Sequence, residues 1–255
     1  MNTDTERFYL HSRSAVIAIQ SIDRIIEEQI IGMVVARPGI GKTQALKAWR
    51  RKRGASCPHV WIEADVLTSP RPILTALVQG LAIGRTAGAA MNMYRTKQQV
   101  CEELARNPIA VLIDEADLLT VRTFELLRSI WDRVSDLRDK DGEAGFPLAL
   151  FGTPQLRNML DREDLERLRR RTFHKAELPG ANLAELRQYV RAKWPEYPVD
   201  EDAAERILRI SQGSFGWVND VMKIAVRLAA KDGKRVTAAI VEATKKHLIG
   251  LPEED

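Results

Sequence analysis

The sequence predicts an α/β fold, a three-layer domain built on a parallel sheet, followed by a small all-α segment. Three observations predict it. Short apolar runs alternate with amphipathic helical patterns from residue 14 to Pro179-Gly180, the order that a parallel sheet with crossover helices requires. The first apolar run ends in a glycine-rich turn closing on Gly41-Lys42-Thr43, where a helix opens. Beyond Pro179-Gly180 only helical periodicity remains. The expected domains are therefore residues 1–179 (α/β) and 180–255 (helical).

Each element has its own signal. Residues 14 to 27 carry Val16, Ile19, Ile22, Ile25 and Ile26 on one helical face. Ile31 to Ala36 reads as a buried strand, and a helix runs from near Lys42 to Arg53, where Gly54 stops it. His59 to Ala64 is a second strand, and Ser69, as N-cap, precedes a helix through Ile83. Gly84 to Lys97 is small, polar and aperiodic, which predicts a surface loop with a helix after it from about Gln98 to Arg106. Ile109 to Asp114 is a third strand. Val121, Phe124, Leu127, Trp131 and Val134 mark a long amphipathic helix. Pro147 to Gly152 and Phe173 to Leu178 complete the strands, and the faces of the helical segment begin with Leu183, Leu186 and Val190.

Composition excludes several classes. Hydrophobic residues are 45% and charged residues 29% of 255, a globular balance. No apolar run approaches the ~20 residues that span a bilayer, and the polar N-terminus is unlike a secretory signal. Cys57 and Cys101 form neither a disulfide framework nor metal-ligand spacing, so a reduced cytoplasmic setting is expected. The formal charge of +4 is a mild bias. Its clusters, Lys47 to Arg53 and Arg167 to Arg171, are more telling. The four histidines are scattered, and the tryptophans fall mostly on apolar faces.

The strongest motif is Ala36-Arg37-Pro38-Gly39-Ile40-Gly41-Lys42-Thr43. Between a strand and a helix, this spacing wraps successive backbone N–H groups around a phosphate, with Gly39 and Gly41 permitting close approach. The helix start adds partial positive charge. Lys42 is expected on the β- and γ-phosphates, and the Thr43 hydroxyl on Mg²⁺. Ala36 stands where the usual pattern has glycine. The second motif is the apolar strand that delivers Asp114-Glu115-Ala-Asp117. Asp114 is expected to hold Mg²⁺ through water and Glu115 to polarise the attacking water, which favours hydrolysis over phosphoryl transfer.

With these residues in place the chain resembles the AAA+ ATPases, from residue 14 to about 247. The resemblance implies a P-loop AAA+ domain with a helical lid. It puts Thr153 at the position of a water-orienting sensor, and Arg167 or Arg171 as an arginine finger that completes a neighbouring subunit's site. In the lid segment Gly213-Ser-Phe-Gly216-Trp217, Gly216 occupies the place of an arginine, which implies slow hydrolysis, stimulated by DNA or a partner. The wording ARPGIGKT, LIDEADLL and LFGTPQL resembles the DNA-transposition regulators of the phage Mu B and TnsC type. That likeness implies assembly on duplex DNA as a ring or helical filament, recruitment of a transposase, and disassembly on ATP hydrolysis. DNA contact is expected to be sequence-nonspecific and through phosphates. Candidates are Arg85, Arg95 and Lys97 in one set, Arg122 in another, and the Lys47–Arg53 knot as a third, although a basic helix end often just offsets the helix dipole. Two alternatives stay open: a secretion-type (ExeA-like) ATPase acting on protein partners, and a nucleotide-gated scaffold with little hydrolysis.

Overall fold

The computed structural model describes residues 12–83, 92–139, 144–230 and 233–248. The elements are α1 (Arg13–Glu28), β1 (Ile31–Val35), α2 (Lys42–Arg53), β2 (His59–Glu63), α3 (Pro70–Gly80), α4 (Met93–Arg106), β3 (Ala110–Asp114), α5 (Val121–Leu137), β4 (Leu148–Gly152), α6 (Pro154–Leu160), α7 (Glu166–Arg171) and β5 (Thr172–Glu177). Four helices follow: α8 (Leu183–Lys193), α9 (Glu201–Ser211), α10 (Phe215–Ala229) and α11 (Ala238–Thr244). The chain divides into two compact units. Among the described residues, the sheet unit takes those within 18–35 and 46–177, and the lid unit those within 12–17, 36–45 and 178–248.

In the sheet unit five strands lie in the order β2-β3-β4-β1-β5, every pair parallel. Every residue of β1, β3 and β4 is buried, as expected of strands covered on both faces by crossover helices. The register brings Val35 opposite Gly152 and Glu63 opposite Asp114. The carboxyl ends of β1, β2, β3 and β4 therefore share one edge, where open parallel sheets carry their ligand chemistry. Phe124, Trp131 and Phe146 fill the core, and the Trp131 indole N–H reaches the Phe146 carbonyl at 3.0 Å. The α/β class expected from the alternation is the class found.

The lid unit is helical. Asn182 and Glu185 form a reciprocal capping box at the start of α8. Leu186, Val190, Ile207, Ile210, Val218, Val221, Met222 and Val241 are buried within this unit. A lone parallel bridge joins Val199 to Val236. Among the described residues no helix is long and apolar enough to cross a membrane.

Two local expectations are corrected. The segment through Lys97 is not all loop: α4 begins at Met93, with the Asn92 carboxamide accepting from the amides of Tyr94 (3.0 Å) and Arg95 (3.3 Å). The buried stripe of α4 opens on Thr96, a polar residue, so hydrophobic periodicity registers only from Val100. Ser69 sits at the N-cap of α3 but makes no side-chain capping bond. Pro72 at the third helical position has no N–H to offer it.

Candidate nucleotide site

The glycine-rich loop leaves β1 through the Val35–Ala36 peptide bond and ends in the first turn of α2. Gly39 has φ +76° and Gly41 φ +112°, conformations that side chains disfavour. A Cβ built on Gly39 would lie 2.3 Å from the Ser214 hydroxyl oxygen. Ala36 is buried and keeps a negative φ, so a methyl group stands there without strain where the usual pattern has glycine. Lys42 is buried, at 6% exposure, and its ammonium donates to the Ala36 carbonyl at 3.3 Å. A buried ammonium with one neutral acceptor among the described residues suits an anion in the loop, because burial of a cation is costly until it is paired.

Within the lid unit the start of α10 is fastened to this loop. The Ser214 hydroxyl donates to the Pro38 carbonyl at 3.1 Å and accepts from the Trp217 amide at 3.3 Å. The Gly216 amide donates to the Gly39 carbonyl at 3.1 Å. The Arg37 guanidinium donates to the Gln212 side chain, and Gln212 itself is left-handed at φ 46°. A Cβ on Gly216 would stand 3.2 Å from Gly39 Cα, which explains a small residue where the resemblance leads one to expect arginine. At position 216 the lid meets the loop through a backbone hydrogen bond, with no cationic side chain at that position.

The sheet unit carries the acidic motif. Asp114, fully buried, ends β3, and one of its carboxylate oxygens accepts the Glu115 amide at 3.0 Å. Glu115 is half-buried and left-handed, at φ 54° and ψ 39°, a conformation that costs a non-glycine residue about 1–2 kcal/mol. Such strain concentrates where a side chain must be aimed. The carboxylate of Asp114 and the hydroxyl of Thr43 are hard oxygen donors of the kind Mg²⁺ takes alongside phosphate and water. Among the described residues no group of three or more His, Cys, Asp or Glu forms a self-sufficient metal site.

Thr153, which follows β4, is held by Asp117. Its amide donates to one carboxylate oxygen at 3.0 Å and its hydroxyl to the other at 2.8 Å. A Cβ on Gly152 would come within 2.6 Å of the same carboxylate. The sequence motif includes Asp117 but assigns it no role; its one signal there is its place as the third acid after an apolar strand.

The arginines of α7 differ in their commitments. Arg169 pairs with Asp161 (3.6 Å), Arg170 with Glu166 (2.6 Å) and Arg171 with Asp132 on α5 (3.0 Å). Asp132 also takes Arg128, whose own pKa is raised, chiefly by its hydrogen bonds to Glu125. Arg167 is exposed and has no ion-pair partner among the described residues. Of the residues named for DNA, Arg85 lies outside the described residues. Arg95 and Lys97 sit in the first turns of α4. Lys97 and Tyr94 share a groove with Asp132 and Asp136, near the end of α5. Arg122 is exposed in the first turn of α5, at the opposite end of that helix. The structure thus does not bring Arg122 together with Arg95 and Lys97.

Solved structures share this fold. Cdc6p from Pyrobaculum aerophilum matches with TM-score 0.65 and 17% identity over 91% of this chain and 66% of that one. The ORC1 protein of Aeropyrum pernix, in complex with DNA, matches with TM-score 0.62 and 14% identity over 97% and 71%. The RuvB Holliday junction branch migration motor of Thermotoga maritima matches with TM-score 0.55 and 19% identity over 91% and 68%. The chain thus spans about two thirds of the length of these structures. No curated protein sequence matches it. Residues 25–160, which carry the loop, the acidic motif and Thr153, match the AAA domain family, and the chain belongs to that family.

Proposed function

We propose that the chain is an ATP- and Mg²⁺-dependent ATPase that binds duplex DNA without sequence preference and regulates DNA transposition. One observation carries the nucleotide part: a loop with two positive-φ glycines that buries Lys42 against a single carbonyl. In this reading Ala36 to Thr43 hold the phosphates, and Lys42 neutralises the β- and γ-groups. Thr43 and Asp114 hold Mg²⁺, which supplies charge neutralisation on the phosphates when bound. Glu115 polarises the attacking water and Thr153 orients it. Arg167, paired with no carboxylate among the described residues, reaches the ATP of the next protomer; Arg171 is the alternative finger. Head-to-tail contacts of this kind close into rings or continue as helices.

The DNA part draws support from the fold relatives, since the Aeropyrum ORC1 structure contains DNA and RuvB is described as a Holliday junction motor. The transposition role, with a transposase as partner in the cytoplasm, rests on the motif wording alone. ATP-dependent anisotropy of a labelled duplex tests DNA binding: affinity falls steeply with salt if phosphates dominate. A flat salt response rejects that mode of binding. Pull-down of a transposase encoded beside the gene tests the regulatory role.

A second reading has one observation in its favour. Gly216 in place of the lid arginine suits a nucleotide-gated scaffold with little turnover. Comparing Glu115→Gln with the wild type separates the two: a clear loss of phosphate release supports hydrolysis, and no difference supports the scaffold.

A further inference from the structure

Between β2 and α3 the chain turns through Asp65-Val66-Leu67-Thr68, within the sheet unit. The turn is closed on itself. The Thr68 amide reaches the Asp65 carbonyl at 3.0 Å, and the Asp65 amide reaches the Thr68 hydroxyl oxygen at 2.8 Å. The Asp65 carboxylate accepts from the Leu67 amide (2.9 Å) and the Thr68 hydroxyl (2.8 Å). This fixed turn holds Val66 and Leu67 outward at 82% and 78% exposure. Single exposed apolar residues are ordinary. Two adjacent ones, fixed on a hydrogen-bonded tip, keep apolar surface in water with little freedom to fold it away.

Two exposed cations adjoin the tip. The Thr123 hydroxyl approaches the Thr68 carbonyl at 3.5 Å, so the first turn of α5 adjoins the turn. That first turn holds exposed Arg122, and the first turn of α3, immediately after the tip, holds exposed Arg71. Neither first turn contains an acid. Neither arginine has an ion-pair partner among the described residues. A cation at a helix N-terminus is opposed by the helix dipole. Two such cations beside one tip fit an anion that both would meet. The one acid of the tip, Asp65, is engaged within the turn.

We infer that Val66 and Leu67 form an apolar wedge against duplex DNA, with Arg71 and Arg122 on the flanking phosphates. Proteins that bend DNA combine these parts: an aliphatic side chain pressed between base steps and cations on the backbone beside it. Because the turn is already ordered, docking orders little new chain. The inference rests on the DNA reading above and names the surface that performs it. It gives Arg122 a partner surface different from that of Arg95 and Lys97.

The test uses the full chain with ATP and a labelled duplex carrying a base analogue that brightens when unstacked. Wild type is expected to bind and brighten the analogue. Val66→Ser with Leu67→Ser is expected to abolish the brightening and weaken binding about tenfold, the scale of one lost apolar contact, with the salt slope unchanged. Arg71→Ala and Arg122→Ala are each expected to lower the salt slope by about one. All four positions are exposed, so unchanged melting verifies folding. If wild type binds but every variant binds and brightens as it does, the wedge is wrong and the DNA reading stands. If wild type binds no duplex, both fall. If the variants keep DNA affinity and brightening but lose ATP-dependent self-association, the tip is a seam between protomers and the inference is overturned.

Discussion

Asp117 grips Thr153 twice, taking its amide at 3.0 Å and its hydroxyl at 2.8 Å. The residue expected to orient the lytic water is thereby fixed in direction by a carboxylate at the far end of the acidic motif. One lone-pair side of the hydroxyl remains for a water, and its proton is already assigned.

Asp117→Ala is accordingly expected to lower kcat about 10- to 100-fold while leaving the KM for ATP nearly unchanged, the pattern of a lost orienting partner. Thr153→Ala should act alike, and the double variant should be no worse than the poorer single one. Independent, multiplicative losses would separate the two residues functionally.

Nucleotide affinity should depend on the fastening of α10 to the loop. Ser214→Ala removes the hydrogen bond to the Pro38 carbonyl, and Gly39→Ala adds a methyl group at φ +76° that would meet the Ser214 oxygen. Ser214→Ala is expected to weaken ATP binding about 3- to 10-fold, the size of one lost hydrogen bond. Gly39→Ala should nearly abolish it. Calorimetric titration checks both, and equal affinity in all three proteins would detach the lid from nucleotide binding.

Arg167 and Arg171 should behave differently. Arg171 pairs with Asp132 at 3.0 Å, and Arg171→Ala is expected to lower the melting temperature slightly, since half-exposed pairs contribute roughly 0–1 kcal/mol. Arg167→Ala should leave melting unchanged and stop hydrolysis. If Arg167 acts across protomers, mixing Arg167→Ala with Lys42→Ala subunits restores part of the phosphate release. A mixture as inactive as its components contradicts a finger in trans.

His174 on β5 contributes a pH dependence. Its ring Nε2 is buried without a partner among the described residues, and burial first, then Arg24, holds its pKa below 6.5. The folded state therefore binds fewer protons than the unfolded one while the pH lies between the depressed folded value and the unfolded value. This contribution to stability is intact above about pH 6.5 and is lost as the pH falls from there toward the depressed folded value. His174→Gln should flatten that part of the denaturation profile measured from pH 7 downward.

Legibility in the sequence followed distance along the chain. The strand–loop–helix at Ile31 to Arg53 was readable because its glycines, lysine and flanking periodicities are contiguous, and β1 and α2 lie within one residue of their expected bounds. The bond from Thr153 to Asp117 was not readable: it joins residues 36 apart through neighbouring strands, and nothing local in either segment requires the other. Gly216 could be seen as a departure from the family pattern, but its reason, the 3.2 Å approach of a Cβ at this position to Gly39 Cα, appears only when residues far apart in sequence meet. The start of α4 was missed because an asparagine cap and a buried threonine look like loop to a hydrophobicity pattern.

Nucleotide binding by the glycine-rich loop is tested most directly by calorimetric titration of the wild type and of Lys42→Ala with ATP and Mg²⁺. Saturable binding by the wild type and loss of it in Lys42→Ala are expected, with melting little changed. Absence of heat in the wild type, or equal binding by both proteins, would contradict it.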